Sequence, residues 1–272
     1  MSNNTLSLKH LPAGEHGFFR APILVSGATE AVLIDGGFTL SDGAAVVEEI
    51  KASGKQLTTI YISQSDPDYY FSLGPIKAAF PDAKVITASA TLAAIKASVE
   101  KKLAAWGPQL QDNGPKNLAD VVMPEAFDGE SLTVDGETIE IVTIENLPNR
   151  RYLWIPSLNA VVGGVLVFSD LHVWTADTAT VELRETWVKT LDSILARNPD
   201  IVIPGHMTLD AKTGKEAIIY TQTYLRAFEA ELAKVDNSAD LMAAMTALYP
   251  DAGLGVALQI GAKVNTNEMK WG

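Results

Sequence analysis

"IYISQSDPDYYFSLGPIKAAFPDAKV", residues Ile60 to Val85, opens as an apolar, β-branched run, turns polar at Gln64 and carries Asp66 and Asp68 ahead of two tyrosines. A strand that ends in carboxylates and amides, then a short helix "GPIKAAF" and a second strand "AKVITA", spells a βαβ unit. Its polar groups arrive at the carboxyl edge of a sheet, where α/β proteins hold their ligands. The stretch therefore predicts both the fold class and the place of a site.

The flanking segments extend the rhythm. "PILVSG" and "EAVLIDGG" read as a hairpin whose second strand ends at Asp35. A helix follows, capped by Ser41 or Asp42, with Val46, Val47 and Ile50 on one face and Gly54 as its stop. From Thr91 to Trp106 the residues Leu92, Ile95, Val99, Leu103 and Trp106 recur at helical spacing. "ESLTVDGETIEIVTI" is a hairpin around Asp135 and Gly136. "RYLWIP" and "NAVVGGVLVF" are strands, Leu183 to Ala196 is a helix, "DIVIPGH" is a strand, and two helices lie near 215 to 235 and 238 to 248. Hairpins mixed with βα units predict two mixed sheets packed together under outer helices, as one domain over residues 1–272 with C-terminal helices from about 211. Tyr224 and Phe228, one turn apart, belong either to a cover on the core or to a homodimer face.

Composition narrows the function. The net charge of −12 repels polyanions, which argues against nucleic acid or an anionic membrane as partner and leaves a small molecule. With no cysteine there is neither a thiol nucleophile nor a zinc–thiolate site. No apolar run approaches the roughly 20 residues that span a bilayer, and the first residues lack a signal core, so a cytoplasmic location is expected. A Gly-x-Ser-x-Gly elbow and a P-loop are both absent, and "GLGVAL" from Gly253 reads as a loop and not as a dinucleotide fingerprint. Of four histidines, His10 and His16 lie in a polar segment, His172 stands in the apolar-aromatic loop "SDLHVWTADT" with Trp174, and His206 ends "IVIPGH". Pro204 and Gly205 break that strand and deliver the His206 imidazole to the sheet edge.

The order and spacing of "EAVLIDGG", the 60–85 stretch, "YLWIPSLNAVVGG" and "VIPGH" resemble the metallo-β-lactamase superfamily, over most of the chain up to about residue 210. The resemblance implies an αββα sandwich with a metal-dependent hydrolytic site along one edge of the sheets. It also locates the departures. The family loop H-x-H-x-D-H has here the counterparts Gln64, Asp66, Asp68 and Tyr69. The next family histidine falls at Asn146, the bridging aspartate appears as Val165, and the last histidine is retained as His206. The chain also looks like a subgroup whose loop reads S-H-x-D-P-D-Y-Y-F, in which Asp66 would be ordinary.

Chemistry then limits the site. Catalytic zinc is held by about three nitrogen or carboxylate ligands with one position open. Neutral amides and a valine do not supply that set, so no tight metal is expected. A weakly held divalent cation on Asp66, Asp68 and His206, helped by Gln64 and Asn146, would be of the hard Mg²⁺, Mn²⁺ or Ca²⁺ type. Without metal, Asp66, Asp68 and His206 are the candidate catalytic groups. Gln64, Tyr69, Asn146, His172 and Trp174 are the candidate pocket residues. The leading expectation is a relative of ester or lactone hydrolases with a lost or weakened metal site. The alternatives are a non-catalytic small-molecule binding protein, and an inactivated or redirected variant of an active metal-dependent hydrolase.

Overall fold

A computed structural model describes residues 6–147 and 149–271. Pro148, which precedes Asn149 and Arg150, lies outside the described residues. The chain begins with β1 (Ser7–His10), β2 (Ile23–Ser26) and β3 (Glu30–Ile34), then α1 (Leu40–Ser53) and β4 (Gln56–Ile62). It continues through α2 (Leu73–Ala79), β5 (Lys84–Thr87), the long α3 (Ser89–Leu110) and β6 (Glu125–Ala126). These six strands form one sheet in sequence order, antiparallel through β1–β2–β3 and parallel through β3–β4–β5–β6.

The second sheet takes β7 (Ser131–Val134), β8 (Glu137–Thr143), β9 (Arg151–Ile155) and β10 (Ala160–Val162) as an antiparallel meander. After β11 (Phe168–Ser169) and α4 (Val181–Ala196), β12 (Ile201–Val202) joins its edge parallel to β10. The next strand, β13 (His206–Met207), pairs in parallel with β11, and α5 (Lys215–Leu232), α6 (Ser238–Leu248) and α7 (Gly255–Asn265) complete the described chain.

Alternation along the strands builds the layers, because successive side chains point to opposite faces. In the first sheet Ile23, Val25, Val32, Ile34 and Tyr61 pack against Leu132, Val134, Ile139, Leu153 and Val162 of the second. Their neighbours Leu24, Ala31, Leu33, Ile60 and Ile62 point the other way and meet Val46, Val47, Ile50, Ile76 and Ile95 of the outer helices. On the far side Tyr152, Val161 and Val202 meet Trp187, Leu191 and Ile194 of α4, together with Phe228 of α5. The result is the expected helix–sheet–sheet–helix sandwich. Among the described residues no helix is long and apolar enough to cross a membrane.

Four local expectations change. "NAVVGGVLVF" is not one strand but β10 and β11, in two different sheets, parted at Gly163 and Gly164, both in left-handed conformation. Helix α1 starts at Leu40 and is capped by Thr39, not by Ser41 or Asp42: Thr39 Oγ1 accepts the Asp42 N–H at 3.0 Å and the Asp42 carboxylate accepts the Thr39 N–H at 3.0 Å. "GLGVAL" is not a loop; Leu254 takes a left-handed conformation and α7 begins at Gly255, burying Ala257 and Leu258. "DIVIPGH" is two short strands in two different sheets, split at Pro204 and Gly205.

Candidate functional site at the sheet edge

The strand β4 delivers residues 63–72 as an irregular loop, with Pro67–Tyr69 as one turn of 3-10 helix. Its floor is Asp35. That carboxylate accepts the Ser63 N–H and the Ser63 hydroxyl, each at 2.7 Å, and Arg20 Nη2 at 3.0 Å. Asp35 and Arg20 are both fully buried. Burial pushes the Asp35 carboxyl upward, and the Arg20 charge and the Ser63 hydrogen bonds oppose it. The same guanidinium lies 3.9 Å over the Tyr69 ring and donates to the Gly205 carbonyl.

His206 is held from two sides. Phe168 of β11 is its strand partner and stacks on its ring at 4.9 Å, while the Arg20 backbone bridges its other edge. Its Nε2 bonds Asp68 Oδ2 at 2.9 Å, and its Nδ1 is buried without a partner. Burial acts first on this imidazole and holds it below its ordinary value, with Asp68 pulling the other way and Arg20 and Arg150 adding to the decrease. For Asp68, burial raises the carboxyl, but the His206 hydrogen bond and the Arg20 charge oppose it, and the carboxyl is held below the usual range. We therefore take Asp68 as ionised and His206 as neutral. An ionised carboxylate only accepts, so the imidazole proton sits on Nε2.

The loop's other carboxylate is satisfied from outside the loop. Lys102 Nζ, reaching across from α3, meets Asp66 Oδ1 at 2.8 Å and the Ser65 carbonyl at 2.8 Å. Burial raises Asp66, Lys102 lowers it, and the nearby charges of Asp177 and Asp68 raise it again. Asp177 in turn holds Arg150 Nη2 at 2.8 Å, and that guanidinium covers Trp187 at 4.0 Å.

Gln64 is 1% exposed; its Oε1 accepts from the Ser65 N–H and, at 3.2 Å, from the Ser65 hydroxyl, whereas its Nε2 has no partner. Asn149 Nδ2 donates to Ser65 Oγ at 2.6 Å. Asn146, expected here from the sequence, is exposed in a left-handed turn at φ 65°, and Asn149 is the amide that reaches the loop. Tyr69 and Tyr70 are buried, Tyr69 donating to the Gly164 carbonyl at 3.3 Å. His172 turns to Tyr224, with Nδ1 and the phenol oxygen 2.9 Å apart, and Trp174 meets Trp271 edge-on at 5.2 Å. The structure thus joins Asp68, His206 and Tyr69 directly, links Gln64 and Asp66 through Ser65 and Lys102, and shows His172 bonded elsewhere.

Arg20, Lys102 and Asn149 were not singled out from the sequence. Asn149 lies three residues after Asn146 and could have been considered; Lys102 sits among other lysines of α3 and carries no local signal.

The side chains fit a tight metal centre poorly. Among the described residues no group of three or more His, Cys, Asp and Glu could hold an ion. The donors at this edge are neutral amides, a carboxylate bonded to an imidazole and a carboxylate bonded to an ammonium, with guanidinium charge behind them. Introducing a dication would require these internal pairs to separate.

No family model matches the sequence, and no curated protein matches it. Solved structures do. A metallo-β-lactamase from Pontibacter korlensis is 16% identical with a TM-score of 0.56, over 83% of this chain and 96% of that one. A metallo-β-lactamase family protein from Thermus thermophilus is 17% identical with a TM-score of 0.61, over 96% of this chain and 93% of that one. Layer order, strand topology and these likenesses agree: the chain has the metallo-β-lactamase fold.

Proposed function

We propose that this protein is an ester or lactone hydrolase that works without a tightly held metal ion, with His206 as general base and Asp68 as the carboxylate that orients it. The observation that carries this reading is the 2.9 Å bond from His206 Nε2 to Asp68, made on a ring whose Nδ1 is unpartnered. The bond fixes the proton on one nitrogen and leaves the lone pair of the other to accept one from water. The resulting hydroxide attacks the carbonyl carbon, and the imidazolium returns its proton to the departing alkoxide, giving acid and alcohol, or a hydroxy acid from a lactone. The free Gln64 Nε2–H is a donor for the oxyanion. General-base assistance contributes about 10²- to 10⁴-fold, so turnover is slow.

A second reading, small-molecule binding without turnover, is favoured by the shielding of His206 Nδ1 and Gln64 Nε2 from solvent. Elemental analysis and an ester and lactone panel assayed in chelator separate the cases. The hydrolase reading expects less than stoichiometric zinc and turnover that survives chelator and disappears in His206→Ala. Stoichiometric zinc, or activity abolished by chelator, would overturn it. A saturable ligand with no turnover would select the binding protein.

A further inference from the structure

We propose that Asn113 is a site of spontaneous deamidation, and that its conversion to isoaspartate unties the end of α3 from the first turn of α1. The inference is independent of the hydrolase reading, since it concerns a covalent change in the chain itself.

An asparagine deamidates when the backbone nitrogen of the next residue attacks its side-chain carbonyl carbon. Glycine in that next position favours the attack, because it has no Cβ to obstruct the approach. Asn113 is the one asparagine of the sequence that precedes a glycine, and it is exposed to the water that the reaction consumes. In the first step a bond forms between Gly114 N and Asn113 Cγ, the bond from Cγ to Nδ2 breaks, and the Gly114 N–H proton leaves with ammonia. Water then adds across one of the two C–N bonds of the cyclic imide. The product is aspartate or isoaspartate, with one water consumed and one ammonia released.

The fold gives this residue a task that the dipeptide alone does not reveal. Asn113 ends a single 3-10 turn, Gln111–Asn113, directly after α3. Across 72 residues of sequence its Oδ1 accepts the Ser41 N–H at 2.9 Å and its Nδ2 donates to Ser41 Oγ at 2.9 Å. Ser41 is the second residue of α1, so its N–H has no partner within the helix, and the carboxamide supplies one beside the Thr39 cap. Both ends of the amide are thus in use. Aspartate keeps the acceptors and loses the donor. Isoaspartate goes further: its main chain runs through the former side-chain carbon and is longer by one methylene, so it no longer aims a group at Ser41. The turn favours that longer chain, because Gln111 sits at φ 47° and ψ −128°, outside the small left-handed region open to a residue with a side chain. The same two bonds also act as a brake. They hold the Asn113 carboxamide on Ser41, and it must leave before Gly114 N reaches it.

The test incubates the full chain and its Ser41→Ala and Asn113→Gln variants in mildly alkaline buffer, folded and in urea. Peptide mapping by mass spectrometry follows each asparagine, with aspartate and isoaspartate separated by chromatography. In the folded parent Asn113 should convert ahead of every other asparagine, and in folded Ser41→Ala it should convert severalfold faster. Urea should erase that difference, and Asn113→Gln, whose longer side chain cannot close the five-membered ring, should stay unmodified at this position. In the isolated isoaspartate form the Ser41 amide should exchange its hydrogen faster than in the untreated parent. Another asparagine converting first, equal rates in the folded parent and folded Ser41→Ala, or an equally protected Ser41 amide in the isoaspartate form would each overturn the proposal. If Ser41→Ala fails to fold, the parent decides: slower conversion when folded than in urea supports the brake, and equal rates overturn it.

Discussion

Arg20 and Asp35 show how one residue pair fixes the site from beneath. The guanidinium meets the carboxylate at 3.0 Å, covers Tyr69 and donates to the carbonyl of Gly205, the residue just before His206. Glycine is required there: a Cβ on Gly205 would lie 2.0 Å from the Gly164 carbonyl oxygen. Removing one partner of a fully buried pair leaves the other charge uncompensated, which costs about 3–5 kcal/mol. Arg20→Met is therefore expected to lower stability in urea unfolding by about that amount. Arg20→Met/Asp35→Asn should recover part of the loss. A single variant as stable as the parent would show that Asp35 is protonated and uncharged already. Asp35 was legible in the sequence as the end of a hairpin strand. Its partner was not: Arg20 reads as one more charge in a polar N-terminal segment, and only the fold reveals that this segment runs along His206.

At the level of elements, strand and helix positions follow from periodicity, and boundaries follow from capping chemistry that periodicity does not contain. Val46, Val47 and Ile50 placed α1 on the core, yet the choice among Thr39, Ser41 and Asp42 as its cap depends on backbone geometry. Thr39 is extended, at φ −101° and ψ 154°, and exchanges hydrogen bonds with Asp42. Thr39→Ala removes one half of this box and is expected to cost about 1 kcal/mol in urea unfolding without changing turnover. A loss indistinguishable from zero would mean that solvent replaces the hydroxyl. Helix α7 was missed for a related reason. Its first turn, Gly255 to Leu258, opens with two poor helix formers, a glycine and a β-branched valine, and the burial of Ala257 and Leu258 against the rest of the fold secures it as a helix.

For the whole molecule, layer order was readable because alternation and amphipathic stripes are local, whereas the site joins groups from distant parts of the chain. Residues 20, 35, 68, 102 and 206 converge only through the sheet topology, so Lys102 and Arg20 gave no sequence signal while Asp68, in the polar loop after a strand, and His206, just after the break at Pro204 and Gly205, did. The same burial that assembles the site sets the response to acid. His10, His172 and His206 are each held below the ordinary imidazole value, first of all by desolvation. In the unfolded chain each takes up a proton near pH 6.5, whereas in the folded chain each does so only at lower pH. Their contribution is fully present above pH 6.5 and is lost as pH falls through the folded values. Asp35 and Asp66, raised by burial, act in the opposite sense, gaining stability as pH falls toward their unfolded values, so the net slope alone does not isolate the histidines. His172 does isolate one of them, because it lies away from the loop carboxylates and bonds Tyr224. His172→Gln keeps a hydrogen-bonding group for that phenol but cannot take up a proton. The variant should be less stable than the parent at pH 8, and the gap should shrink as pH falls below about 6.5, since only the parent pays the protonation penalty at this position. Urea midpoints measured from pH 8 to pH 5 on both chains read this directly; a gap that stays constant across that range would mean that His172 titrates alike in the folded and unfolded states.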